Sequence, residues 1–341
     1  MKCSLKIKQL NLENISFTSV ISILFCGLLF LLISCSKKSI TIDNSKSTFR
    51  VIGYLPGREN LVQSANTIDY SKITHLNIAF INPDSSGTLQ GTENLNAVAA
   101  IAHSKNVKIM ASIGGGGAPK YYPSFLIGDK KSKLITDLVN LAVESNLDGI
   151  DVDLEGDLID ANYENFVIDL AAQLKLKNKM ITAAIATVYK DQFSDKALAQ
   201  FDFVNIMSYD RTGPWNPSKP GPHAPYEMAV EDVEYWNKTR GITKEKLSLG
   251  VPFYGYGFGG TAPESISWKT LLLNYPNAVQ TDEFNVNGGT IYYNGIPTIR
   301  KKTALALEKT GGIMIWQLLQ DDNGAKSLLG NIDEVIHTKE K

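Results

Sequence analysis

Residues 148–155 read DGIDVDLE, and this stretch constrains the fold more tightly than any other in the chain. Asp151, Asp153 and Glu155 alternate with Ile150, Val152 and Leu154. Side chains at i, i+2 and i+4 of a β-strand share a face, so a strand here puts three acids on one face and three aliphatics on the other. Successive acids then stand roughly 6–7 Å apart, twice the rise per residue, close enough to couple their protons. A helix is one rival reading, with Asp148, Asp151 and Glu155 on a solvated stripe at i, i+3 and i+7. An edge strand with solvent-facing acids is another. Gly149 and the β-branched Ile150 and Val152 disfavour the helix. So does the helix that Leu134, Leu138, Leu141, Ala142 and Ser145 mark just upstream, because a βα alternation then wants a strand.

This motif resembles the DxxDxDxE signature of the family 18 glycoside hydrolases, the chitinases and their relatives. The resemblance runs from about Val51 to Asp322. It implies an α/β fold, a (β/α)8 TIM barrel with the motif on its fourth strand. It also implies a substrate carrying N-acetylglucosamine, whose own acetamido group is the nucleophile, a known exception to the two-carboxylate scheme. Such chemistry needs a proton for the leaving oxygen and a stabiliser for the positive anomeric carbon. Glu155 comes last in the series, nearest the C-terminal strand end where barrel active sites open. A carboxyl there, beside Asp153, has its ionisation opposed by a like charge and can keep a proton near neutral pH. The resemblance makes Glu155 the acid/base. Asp153 orients the acetamido group and stabilises the oxazolinium, and the deeper Asp151 shares a proton with Asp153. Asp148 lies off the same-face series and is expected to give structural support.

The other apolar runs take places in the same pattern. Residues 49–55 (FRVIGYL) close on Pro56-Gly57 and read as the first strand. Tyr54 stands where the family often has an aromatic near the deep acids, expected to bind substrate or to line the barrel wall. Residues 73–81 are the second strand, and its lone His75 is expected to be structural. Residues 107–113 are the third strand, leading into Gly114 to Gly117 without the lysine-serine pair of a phosphate loop. Ser112, Gly114 and Gly115 match the family's SxGG pattern; they are expected to leave room beside Asp151, with Ser112 bonded to it. Gly116 stands where many chitinases have tryptophan. Residues 163–174 read as a helix and 180–187 as the fifth strand.

Residues 203–210 (FVNIMSYD) are the sixth strand and match the family's MxYD element. The match implies that Tyr209 holds the acetamido oxygen, Asp210 a sugar hydroxyl, and Met207 the underside of the sugar. Trp215 resembles the leaving-group-side aromatic, and sugars bind such faces through their C–H surfaces. Trp236 reads as core. Residues 247–254 are the seventh strand, with Tyr254 expected to meet substrate; the family often has arginine near Tyr256. Residues 257–312 hold a helix at 299–309, which leaves too little for the large α+β subdomain many chitinases insert. A single catalytic domain with a shallow, open groove and internal cleavage is expected. Residues 312–318 are the eighth strand, with Trp316 flooring the sugar that is cleaved.

The chain has 341 residues and a formal net charge of −1. That length suits one large barrel plus a leader, and the balance gives no basic surface for nucleic acid. Lys2, Lys6 and Lys8 precede an apolar run at 20–33, which reads as an export signal. Leu32-Ile33-Ser34-Cys35 resembles a bacterial lipobox. The expected organisation is a signal peptide at 1–35, lipidation at Cys35, a polar tether at 36–48 and the hydrolase domain at 49–338. An uncleaved membrane anchor is the rival. The lipobox resemblance implies a protein lipid-anchored in the cell envelope, and a monomer is expected. Cys3, Cys26 and Cys35 are the cysteines, so a mature chain that begins at a lipidated Cys35 is expected to have neither free thiol nor disulfide. Isolated histidines give no metal-ligand spacing, and no cofactor or metal is expected. Hydrolysis of β-1,4 linkages in chitin or chitooligosaccharides is the leading reading. Cleavage of N-linked glycans by an endo-β-N-acetylglucosaminidase is a second, and a non-catalytic chitooligosaccharide-binding barrel a third.

Overall fold

A computed structural model describes residues 49–57 and 60–339. The export signal, Cys35 and the 36–48 tether lie outside the described residues. Eight short strands form the frame: β1 Arg50–Pro56, β2 His75–Ala79, β3 Lys108–Gly114, β4 Gly149–Asp153, β5 Met180–Ile185, β6 Phe203–Ile206, β7 Leu247–Pro252 and, after an insertion, β12 Gly312–Trp316. They close into a parallel barrel in the order β1-β12-β7-β6-β5-β4-β3-β2. Closure is made where β1 pairs with β12, Arg50 opposite Gly312.

Helices fill the gaps between strands and cover the barrel. In chain order before the insertion they are α1 Leu61–Ala65, α2 Leu95–Ser104, α3 Gly128–Glu144, α4 Tyr163–Leu176, α5 Asp195–Gln200 and α6 Tyr226–Glu234. On α4, Phe166, Val167, Leu170, Ala171 and Leu174 are buried, an apolar stripe at helical spacing. Each large aliphatic or aromatic buried in this way stabilises by about 1.5–3 kcal/mol. The Ser194 hydroxyl accepts the Ala197 N–H at 3.1 Å and starts α5.

Alternation along the strands separates two cores. Ile150 and Val152 point outward into the layer shared with the helices. A second cluster inside the barrel includes Ile52, Tyr54, Met110, Phe203, Met207, Tyr209 and Met314. Asp151 and Asp153 are buried, from the strand face opposite Ile150 and Val152. The period-two reading of β4 is therefore the observed one. Trp236 is fully buried, its indole N–H donating to Thr187 Oγ1 at 3.0 Å. His75 is buried edge-on to Phe203, and burial pushes its imidazole down to about 3.

The seventh strand does not run through Tyr254. It stops at Pro252, and Tyr254 opens β8 Tyr254–Gly259 in a separate antiparallel sheet. That sheet continues with β9 Ser265–Ser267, β10 Glu283–Val286 and β11 Gly289–Tyr292, in the order β10-β11-β8-β9. One helix, α7 Trp268–Asn274, packs with it before α8 Ile296–Lys309 returns the chain to β12 and α9 Leu328–Lys339 ends it. So a small α+β insertion is present, and it belongs to the same compact unit as the barrel. Its strands are short, and β8 alternates aromatic with glycine, so they carry little hydrophobic period. Among the described residues no helix is long and apolar enough to cross a membrane.

Candidate active site

Strand register assembles the deep end of the site. Ser112 on β3 pairs with Asp151 on β4, which pairs with Thr182 on β5, so these residues share one level of the barrel. Asp151 Oδ2 accepts the hydroxyls of Ser112 at 2.7 Å and Tyr54 at 2.7 Å. Its Oδ1 accepts Thr182 Oγ1 at 2.6 Å. Burial raises the Asp151 carboxyl above the usual range, and these donors pull it back. Tyr54 is almost wholly buried with its hydroxyl committed to Asp151, so it faces the carboxyl from within the wall.

Asp153 and Glu155 lie above. The Asp153 side chain is buried and its Oδ1 has no hydrogen-bond partner. Burial first, then the charges of Glu155 and Asp151, hold its proton affinity well above a carboxylate's ordinary value. Glu155 follows the end of β4 but keeps extended backbone, φ −125° and ψ 150°, so it stays on the inner face. Burial and then the charge of Asp210 push Glu155 up to about 7. The like charge that helps this carboxyl keep its proton is therefore that of Asp210, where the sequence pointed to Asp153. Asp148 sits at the other end of the strand, where its Oδ2 accepts His103 Nε2 and the Ile109 N–H, each at 2.8 Å.

Aromatic rings flank the acids. Trp316 stacks on Phe80 with centroids 5.5 Å apart and 23° between planes, and meets the Tyr54 ring edge-on at 5.6 Å. The glycines after β3 serve this packing rather than open space beside Asp151. A Cβ on Gly114, at φ +101°, falls 2.1 Å from the Asp153 carbonyl oxygen. One on Gly115, at φ +82°, falls 2.3 Å from the Phe80 ring. Both positions require glycine for backbone angle and for room. At Gly116 the nearest atom is Glu155 Oε1 at 3.5 Å, an ordinary contact, so the space above the acid stays open.

A cavity of about 890 Å³ opens beside Glu155. Gly116, Tyr189, Met207, Tyr209, Asp210 and Trp215 are among its walls. Met207 and Tyr209 lie past the end of β6 yet stay with the inner cluster; the Tyr209 hydroxyl is 3.8 Å from Met314 Sδ. Asp210 turns at φ +61°, and its Oδ1 accepts the Tyr254 hydroxyl at 2.5 Å. Trp215 is 62% exposed and meets the Tyr256 ring edge-on at 5.3 Å, so the insertion reaches across to this loop. Among the described residues no group of three or more His, Cys, Asp or Glu side chains is placed to hold a metal ion.

The model for glycosyl hydrolases family 18 matches residues 50–321. The chain belongs to that family. Among solved structures it resembles the family 18 chitinase ChiB from the chitin utilization locus of Flavobacterium johnsoniae, at 39% identity and TM-score 0.76, covering 84% of this chain and 93% of that one. A chitinase from Bacteroides thetaiotaomicron is similar at 30% identity and TM-score 0.75, covering 86% and 98%. A chitinase-like effector of Moniliophthora roreri is 28% identical over 65% of this chain. Endochitinase 1 of Metarhizium anisopliae is 25% identical over 66%. The chain spans less than two thirds of those two relatives, 63% and 64% of their lengths.

Within this family 18 barrel the structure gathers Asp151, Asp153, Glu155, Tyr209, Met207, Asp210 and Trp316 at one end, while Asp148 lies apart from them. Three residues beside these were absent from the sequence reading: Thr182, Phe80 and His223. Thr182 was within reach, since it alternates with the outward Ile181 and so points in with the small residues of its strand. His223 is fully buried, with Nδ1 3.4 Å from Asp210 Oδ1. No local pattern signals it, because Asp210 stands thirteen residues back in the same irregular loop and the rings that bury it, Tyr254 and Tyr256, lie on β8.

Proposed function

We propose that this protein hydrolyses β-1,4 linkages of N-acetylglucosamine-containing glycans, chitin and chitooligosaccharides, by substrate-assisted catalysis with retention. The observation that carries this reading is two neighbouring acids at the end of β4: the half-buried Glu155 just past the strand, pushed up to about 7, and the buried Asp153, whose Oδ1 has no partner. In this reading Glu155 gives its proton to the glycosidic oxygen. The acetamido oxygen attacks the anomeric carbon as the bond to the leaving sugar breaks. Asp153 Oδ1 accepts the acetamido N–H and offsets the positive charge of the oxazolinium, and the Tyr209 hydroxyl donates to the acetamido oxygen. Asp151, fixed by its hydroxyl donors, shares a proton with Asp153. The Glu155 carboxylate then takes a proton from water, which opens the ring from the face the leaving group left. Trp316 floors the sugar, and Trp215 and Asp210 hold its surroundings. Glu155→Gln tests the reading: turnover of chitooligosaccharide should vanish while the fold persists. A variant with full activity overturns it.

A second reading, cleavage of N-linked glycans, is favoured by the open space above Glu155 at Gly116. Mass-resolved products from a glycoprotein and from chitooligosaccharides separate the two, and mid-chain products on the latter test internal cleavage. Binding of chitooligosaccharide without hydrolysis marks the non-catalytic alternative. For location, lipidation at Cys35 and display on the cell envelope are proposed. Cys35→Ala should move the protein from the membrane to the soluble fraction; retention in the membrane overturns that assignment.

A further inference from the structure

We propose that His223 is a positioning residue for this site, holding the Asp210 carboxylate beside Glu155, and that the buried Lys302 and Asn294 clamp His223 in place. The proposal rests on the glycosidase reading of Glu155 and adds a part to it.

His223 lies in the loop between β6 and α6, a polar loop with exposed Trp215 at its tip, yet its side chain is fully buried. The ring packs between Tyr254 at 5.1 Å and Tyr256 at 4.9 Å. Its Nε2 is buried without a partner, while Nδ1 lies 3.4 Å from Asp210 Oδ1. An orphaned buried N–H is costlier than an orphaned acceptor, so the proton belongs on Nδ1, where it donates to Asp210. Asp210 then takes two donors on one oxygen, His223 and Tyr254, at a left-handed turn that needs holding.

The clamp is one residue further on. The Ala224 carbonyl accepts Lys302 Nζ and Asn294 Nδ2, each at 2.8 Å, and Lys302 Nζ also donates to Asn294 Oδ1 at 2.9 Å. Lys302 on α8 is fully buried. An ammonium in that position is expensive, and an apolar side chain would fill the space without the cost. What the lysine adds is a fixed Ala224 carbonyl, and with it a fixed His223. The Arg211 N–H bonds the His223 carbonyl at 2.9 Å and closes the loop from its other end.

The groups facing Asp210 are the hydroxyls of Tyr254 and Tyr256 from β8, Tyr209 past the end of β6, Glu155 after β4, and His223 itself. Adjacent Arg211 is paired with Glu231. A carboxylate released from His223 swings away from Glu155, which removes negative charge beside Glu155.

Two variants of the full chain test this. His223→Phe keeps the ring packing and loses the donor; His223→Asn keeps an N–H near the place of Nδ1 and loses the ring. Carboxyl-carbon NMR titration of Glu155 needs no substrate. In His223→Phe the Glu155 midpoint should fall by about one pH unit, the low end for one neighbouring charge. The basic limb of kcat/KM on chitooligosaccharide should move with it, and kcat should drop about tenfold, as for one lost hydrogen bond to a charged group. His223→Asn should keep the midpoint and recover most of kcat. A wild-type midpoint in the Phe variant overturns the proposal, as does an Asn variant displaced equally far. Should the Phe variant not fold, His223→Leu, which likewise removes the donor, takes its place, and a wild-type Glu155 midpoint there overturns the proposal. If the unaltered chain cleaves no glycan, the proposed function fails, while the Glu155 titration still judges His223.

Discussion

Tyr254 donates its hydroxyl to Asp210 Oδ1 at 2.5 Å, so the first strand of the insertion reaches the carboxylate that follows β6. A hydrogen bond to a charged group is worth about 1.5–3 kcal/mol. Tyr254→Phe removes it and keeps the ring. The expected result is a fall in kcat/KM of about tenfold or more, with the melting temperature lowered by only a few degrees and the fold intact. Steady-state kinetics on chitooligosaccharide beside a thermal melt checks this; unaltered kinetics would make the contact incidental.

Glu155 should cost the fold stability at neutral pH. Its folded value of about 7 lies above the ordinary 4.5. Between those values the folded chain holds a proton that the unfolded chain has released, so stability falls as pH rises from 4.5 through 7. Glu155→Gln removes this loss. At pH 8 the variant should be more stable by about 3 kcal/mol, from about 1.4 kcal/mol per pH unit over that interval, with the gain gone near pH 4. Urea unfolding across pH reads the difference, and equal gain at both ends would contradict the assignment.

Lys302 gives the opposite slope. Burial pushes its ammonium from 10.5 down to about 7. Between those values the unfolded chain carries the extra proton, so stability rises with pH by about 1.4 kcal/mol per unit for this group. Lys302→Met should remove that rise. The stability of wild type minus variant, followed from pH 7 to 10, therefore climbs; a flat difference means the lysine stays charged inside the protein.

Gly115→Ala puts a methyl where the Phe80 ring stands, at a backbone angle of φ +82°. Left-handed strain and overpacking together predict a loss of about 2–4 kcal/mol. The displaced Phe80 must leave its stack on Trp316, so the near-ultraviolet circular dichroism of tryptophan should change as well. A variant as stable as wild type with an intact spectrum would show the ring to be free to move.

The sequence revealed β4 clearly because its two faces are chemically opposite, acid against aliphatic, and only a period of two sorts them. The ends of strands were less legible. Within the run at 73–81 the strand itself covers only His75–Ala79, paired with β1 on one side and β3 on the other. β6 stops at Ile206 although Met207 and Tyr209 still point inward. The insertion was missed as structure because Tyr254–Gly259, YGYGFG, alternates aromatic and glycine without a polar face. At the site, the acids could be read from their spacing. Phe80 and His223 could not: Phe80 owes its place to the Trp316 ring that barrel closure brings near, and His223 to a loop that folds back on Asp210 under the rings of Tyr254 and Tyr256. Even the glycines of β3, legible as a motif, make room for a carbonyl and a ring that only the fold supplies.

Asp151 and Asp153 ride on one strand and Glu155 continues its extended backbone, whereas Asp210 sits outside the sheet on a turn. Their mutual spacing is frozen by the pleat, but the electric field they feel is not. Evolution can thus retune the acidity at which such a protein works by editing the stretch from Arg211 to Ala224, while the barrel's hydrogen-bond ladder is copied unchanged.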